Sequence, residues 1–196
     1  MLAGNASINV QIMKAYITYL ILSCSLIFIP GLFANEVADD SKKSNEVSGP
    51  SVTPQPRLEE WWFARHAENI GKMSKGEFDL LMLGDSITHN FESVGLAVWK
   101  KYFEPRKAIN LGFGGDRTNH LLWRIQHLPV LKKAPKGAVI LIGTNNICWG
   151  SDKPRQAAEG VKVIAKKLHS IYPQTEVLVL GLLPRRRELA HPHRKQ

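Results

Sequence analysis

Residues 81–90 read LMLGDSITHN, an apolar run that stops at Gly84-Asp85-Ser86, with His89 three positions past the serine. A serine at the end of a buried strand is placed to act as a nucleophile. The same residues also suit a helix start, because Asp and Ser are preferred caps and Thr88 fits a first turn. Two further stretches end apolar runs on polar groups, NLGFGGD (110–116) and GTNN (143–146). A serine that attacks a carbonyl creates a tetrahedral oxyanion, which needs preorganised donors worth about 3 kcal/mol each. The Ser86 backbone N–H is one such donor. A glycine of NLGFGGD lets a second N–H approach closely, and a carboxamide of GTNN donates without carrying charge.

The elements that must position these groups follow from hydrophobic pattern. DLLMLG (79–84), AINLG (108–112), GAVILIG (137–143) and EVLVLG (176–181) are short Val/Ile/Leu-rich runs without alternation, as in strands of a parallel sheet buried on both faces. Between them, 155–172 repeats Val161, Ile164, Leu168 and Ile171 at helical spacing behind Pro154. The stretches 93–103 and 117–128 fill the other gaps as helices. Strands alternating with helices predict an α/β fold with a parallel sheet. Ligands of open α/β sheets bind outside the carboxyl ends of the strands. Ser86, Gly112–Asp116 and Gly143–Asn146 each follow a strand, so all three converge on one edge.

GDSIT (84–88), NLGFGGD and GTNN, in that order, resemble the first three blocks of the SGNH/GDSL hydrolases. The longer stretches NLGFGGDRTNHLLWR and VLGLLPR are similar to the branch around platelet-activating-factor acetylhydrolase catalytic subunits and their bacterial esterase relatives. The resemblance covers about Leu58 to the C-terminus and implies a three-layer α/β/α, flavodoxin-like fold. It implies Ser86 as nucleophile and an oxyanion hole from Ser86 N–H, Gly115 N–H and the Asn145 side chain. Gly84, Asp85, Gly114, Asp116, Gly143, Thr144 and Asn146 are then the supporting motif residues. The family uses no metal or other cofactor. The implied reaction is hydrolysis of a carboxylic ester, here an acetyl ester of a carbohydrate or lipid, through an acyl-enzyme.

One block of the family pattern is missing. The family carries its acid and base in a C-terminal D-x-x-H, and none occurs here, so no catalytic His or Asp is identified and the domain is read as C-terminally truncated. Serine without a base is a weak nucleophile. The competing expectation is therefore an impaired fragment that binds acyl or carbohydrate ligands without turnover. Glu188 and His191 mimic the spacing but come too early. His89 is expected to be a bystander, His120 a helix residue facing the sheet, and His66, His127 and His169 surface positions. A dinucleotide site is excluded because Arg117 stands where G-x-G-x-x-G needs glycine, and Thr88 excludes G-x-S-x-G.

Composition bounds the rest. The formal charge of +9 is concentrated at the C-terminus, where residues 184–196 hold five Lys/Arg against one Glu. With no nucleic-acid motif, this reads as solvated charge rather than a nucleic-acid site. Lys14 followed by the apolar run Ala15–Ile29 and Pro30-Gly31 predicts a signal peptide or N-terminal anchor over 1–34 and an exported protein. An uncleaved segment would associate the chain with a membrane. Residues 35–57, rich in Ser, Pro and charge, are expected to form a disordered linker, ahead of the hydrolase domain at 58–196. Cys148 is expected to be a packed small residue, and Trp61, Trp62, Trp99, Trp123 and Trp149 packing aromatics. Oligomeric state is not specified by any of these features.

Overall fold

The computed structural model describes residues 49–149 and 152–183. The expected signal segment, residues 35–48 of the expected linker, and Glu188 and His191 lie outside the described residues.

Four short strands form the sheet: β1 (Leu80–Gly84), β2 (Ala108–Gly112), β3 (Gly137–Leu141) and β4 (Glu176–Val179). All pairings are parallel, in the order β2-β1-β3-β4, with Gly84 opposite Gly112 on one side and Leu141 on the other. This is the start of the flavodoxin-like order, and the chain changes direction across β1, which opens a crevice at the carboxyl ends of β1 and β3. The expected strands are all present, but β4 is not buried on both faces as expected: at the end of the described sheet, its Leu178 and Val179 are 43% and 46% exposed. β3 stops at Leu141 because Gly143, at φ 121°, turns the backbone into the next helix.

The helices are α1 (Glu60–Lys75), α2 (Ser86–His89), α3 (Leu96–Val98), α4 (Thr118–Gln126), α5 (Thr144–Cys148) and α6 (Pro154–Ile171). Right-handed crossovers put α4 and α6 on one face of the sheet and the β1–β2 connection on the other. Leu81, Leu83, Ile109, Leu111, Ala138 and Ile140 form a core with Leu121, Leu122 and Ile125 of α4, and with Ile164 and Leu168 of α6. Each Leu or Ile side chain fully removed from water contributes about 1.5–3 kcal/mol.

The structure differs from the sequence reading in three further places. The helix expected over 93–103 is broken into the single turn α3 and a wider turn over Trp99–Phe103. Ser93 and Gly95 interrupt it, and its buried face is only Phe103. The helix α1 has no counterpart in the periodicity reading. Finally, residues 49–57 of the expected linker pack on the domain: Ser51 is buried, its carbonyl accepts the Thr118 hydroxyl at 2.9 Å, and Arg57 Nη1 donates to Gly114 O at 2.8 Å. Backbone hydrogen bonding orders this segment where apolar content alone does not.

Candidate active site

At the end of β1 the cap is Asp85. Its buried carboxylate accepts the Ile87 N–H at 2.9 Å, which makes Ser86 the first residue of α2. The serine is therefore relieved of capping and sits half-buried at the strand end. The helix α2 lies directly over β2: a Cβ on Gly112 would stand 2.3 Å from the His89 nitrogen and 2.6 Å from the Thr88 carbonyl carbon. Only glycine permits that approach. Asn110 fastens the same contact, donating to Thr88 O at 2.9 Å and accepting the Gly112 N–H at 2.9 Å.

The loop 113–117 after β2 carries the expected oxyanion donor. Asp116 N–H closes a turn onto Phe113 O at 3.2 Å, and Gly115 holds φ 79°, a conformation that glycine adopts without steric cost. The Gly114 residue is held twice: its N–H donates to His89 Nδ1 at 3.2 Å and its carbonyl accepts from Arg57. The Gly114–Gly115 peptide is planar and trans, so the Gly115 N–H points opposite to the carbonyl that Arg57 holds. Arg57 thus sets the direction of that N–H.

GTNN joins the third strand to this loop. Asn145, buried in α5, donates to Asp116 O at 2.9 Å. One of its two amide hydrogens is committed there. Asn146 is also buried; it accepts the Thr118 N–H at 3.0 Å and donates to the Thr118 hydroxyl and to Asp152. The three motifs expected to converge, Gly84–Ser86, Gly114–Asp116 and Gly143–Asn146, are joined at the carboxyl edge of the sheet, with Asn145 and Asn146 both bonded to the segment 116–118.

Behind the loop lies a charge that sequence reading missed. Arg124 is 1% exposed; its Nε donates to Asp116 Oδ2 at 2.9 Å, Nη1 to Leu111 O at 3.1 Å and Nη2 to Gly84 O at 3.4 Å. The Trp62 indole donates to the other Asp116 oxygen at 2.8 Å, and Phe113 covers the guanidinium, its ring centre 3.8 Å away. One side chain thereby ties the ends of β1 and β2 to the 113–117 loop. Burial pushes the Asp116 carboxyl up, and Arg124 opposes that shift.

Two histidines depart from expectation. His66 was expected at the surface but is 6% exposed, because α1 turns it into a cage of Trp62, Phe113, Trp123 and His127 rings. Burial, then the charge of Arg124, lowers its pKa to about 4, and its Nε2 has no hydrogen-bond partner. His89 is no bystander, since it holds Gly114. His120 is half-buried at the head of α4, its Nδ1 accepting the Arg117 N–H at 3.1 Å. Burial, then Arg57 and Arg117, lowers its pKa to about 4 as well. Unfolded histidine titrates near 6.5, so the unfolded chain takes up protons first. The stability these groups confer is complete above about pH 6.5 and is lost as pH falls towards 4. The melting temperature is therefore expected to drop between pH 7.5 and 4.5, and His66→Phe, which keeps an aromatic in the cage, to reduce that drop. An unchanged pH slope in His66→Phe would remove His66 from the acid response.

Residues 82–196 match the model of the GDSL-like lipase/acylhydrolase family. The chain belongs to this family. Among its relatives is platelet-activating factor acetylhydrolase IB subunit alpha2 of Homo sapiens, 31% identical over 142 residues, which cover 72% of this chain and 60% of that protein. The alpha1 subunit of Rattus norvegicus is 32% identical over 141 residues, covering 72% and 59%. The chain thus spans about 60% of the length of these relatives. Among solved structures, AlinE4, an SGNH-hydrolase family esterase, is 24% identical with a TM-score of 0.44, covering 55% of this chain and 60% of that one.

Proposed function

We propose that this chain is a serine esterase of the SGNH/GDSL type that hydrolyses a small carboxylic ester, an acetyl ester of a carbohydrate or lipid, through an acyl-enzyme. The observation that carries the reading is the placement of Ser86 at the end of β1 beside a loop whose Gly115 N–H is aimed by Arg57 and whose Asp116 carbonyl is bound by Asn145. In this mechanism Ser86 Oγ attacks the ester carbonyl and its proton passes to water. The carbonyl oxygen takes the charge and is met by Ser86 N–H, Gly115 N–H and the second Asn145 amide hydrogen. Collapse expels the alcohol and leaves the acyl group on Ser86, and water then releases the acid. Export through the 1–34 segment belongs to the same proposal and is checked by N-terminal sequencing of the protein recovered from the culture medium or periplasm.

The second reading, acyl binding without turnover, is favoured by His89. The histidine nearest to Ser86 in sequence spends its Nδ1 on Gly114, so it is not free to take the Ser86 proton from that atom. One experiment separates the two. The full chain and Ser86→Ala are treated with a fluorophosphonate probe and assayed with p-nitrophenyl acetate. Labelling and hydrolysis that both vanish in Ser86→Ala are expected for the esterase. Equal rates in the two proteins would leave only the binding reading.

A further inference from the structure

The loop between β2 and α4 contains two consecutive glycines, Gly114 and Gly115. Side chains from outside the loop hold the first of them at both ends. Its N–H donates to His89 Nδ1 at 3.2 Å, and its carbonyl accepts from Arg57 Nη1 at 2.8 Å. Glycine backbone is permissive at both dihedrals, so the residue types of the pair do not by themselves aim the Gly115 N–H. The Arg57 contact sets the plane of the 114–115 peptide. The His89 contact sets the plane before it, and the two together fix Gly114.

His89 is itself held. It ends α2, its backbone N–H donating to Asp85 O at 2.9 Å. Its ring lies nearly parallel to the Trp61 indole, with 20° between the planes and 6.5 Å between centres. Because Nδ1 accepts the Gly114 N–H, the proton of the neutral ring is on Nε2, which stands 4.0 Å from Glu92 Oε2. Glu92 in turn accepts from both Nη atoms of Arg65 at 2.8 and 2.9 Å, and Arg65 Nε donates to Gly112 O at 2.9 Å. The Nδ1 lone pair is thereby aimed at one backbone N–H.

A second proton on the ring sits on Nδ1 and turns that acceptor into a donor. Two donors then face each other, and the contact that holds Gly114 becomes a repulsion. The charged groups around the ring are Glu92 on the next turn, Arg65 from α1, Arg124 from α4, paired with Asp116, and beyond Gly114 the Arg57–Glu59 pair. Burial acts most strongly on the ring; Arg65 and Arg124 add to it and Glu92 opposes it, so the His89 pKa lies below its ordinary 6.5. The neutral, holding form prevails at neutral pH and is lost as pH falls.

We propose that His89 is a positioning residue of the oxyanion hole, which keeps the Gly115 donor aimed through Gly114 and releases it when the ring is protonated. The proposal rests on the esterase reading and gives that reaction an acid limit set in the loop.

The test uses the full chain and three variants. Asparagine places Oδ1 two bonds from Cβ, where histidine has Nδ1, and does not titrate; phenylalanine keeps a ring against Trp61 without an acceptor; alanine removes both. With p-nitrophenyl acetate at pH 7.5, His89→Phe and His89→Ala are each expected to lower kcat by about tenfold or more, short of the roughly 10²–10³ that outright loss of a donor costs. KM is expected to change by less than about threefold, and His89→Asn to recover most of the lost kcat. As pH falls from 7.5 to 5, the ratio of wild-type kcat to His89→Asn kcat is expected to fall; the ratio cancels any pH dependence common to both proteins. In ¹⁵N–¹H spectra of the Ser86→Ala protein, the Gly114 amide resonance is expected to move over the same pH range and to stay still once His89→Asn is added. Circular dichroism confirms that each variant is folded. Wild-type kcat in His89→Phe, a flat kcat ratio, or a Gly114 amide that does not respond to pH overturns the proposal. A chain that shows neither fluorophosphonate labelling nor hydrolysis loses the esterase reading, and the Gly114 titration then still decides whether His89 holds the loop.

Discussion

Arg124→Met is expected to lower the melting temperature by about 6–20 °C. Removing one partner of a buried pair strands the other charge and costs about 3–5 kcal/mol; for a chain of this length each kcal/mol is worth about 2–4 °C. The stranded group is Asp116, fully buried, with only the Trp62 N–H left on its side chain. The loss also releases the carbonyls of Leu111 and Gly84 from their Arg124 contacts. A sign follows for pH. Without Arg124, burial of the Asp116 carboxyl is opposed mainly by the Trp62 N–H, so the ionised form is the destabilising one and the deficit grows as pH rises. Thermal melts at pH 5 and pH 8, with Asp116→Asn/Arg124→Met as the partly rescued double variant, measure both effects. A loss below 3 °C would mean that the pair does not brace the loop.

The second large effect is expected for Asn145→Ala. If its free amide hydrogen meets the oxyanion, kcat falls by about 10²–10³, equivalent to roughly 2.7–4 kcal/mol, because one donor aimed at the transition state is lost. KM should change far less, since the donor is aimed at the oxyanion rather than the planar ester. The variant also loses the 2.9 Å bond to Asp116 O, at about 1 kcal/mol of stability. That loss is read separately from the melting temperature. Steady-state kinetics with p-nitrophenyl acetate provide the measurement, and a fall in kcat of less than tenfold would place Asn145 in loop support alone.

The parts of this molecule legible in the sequence are those where one residue type decides the structure. Four short runs rich in Val, Ile and Leu are too short for buried helices, so the strands and the polar groups at their ends can be read directly, although the β4 run is largely exposed. The helix α1 escaped notice because its buried stripe is Trp62, His66, Asn69 and Met73, half of it polar. The spacing is helical, but the hydrophobic signal is diluted by residues whose burial depends on distant partners. Arg124 was hidden for the same reason: a lone arginine in LLWRI reads as solvated until Asp116, eight residues earlier, is folded against it. His89 and Arg57 work through backbone atoms of Gly114, and a contact with backbone leaves no mark on the partner's residue type. Asp85 and Ser86 were separable only by geometry, since either is a good cap.

The clamp that Arg124, Asn110 and Asn146 form beneath the site has a consequence for how such an enzyme changes over generations. The residues that hold the strand ends and the 113–117 loop are buried and hydrogen-bonded to Thr88, Asp116 and Thr118, whereas Trp149 stands 67% exposed. Substitutions at such exposed positions leave the clamp intact. Substitutions in the clamp forfeit recognition and chemistry together. Divergence in substrate range is thereby channelled into a few positions where mutation is nearly free of stability cost.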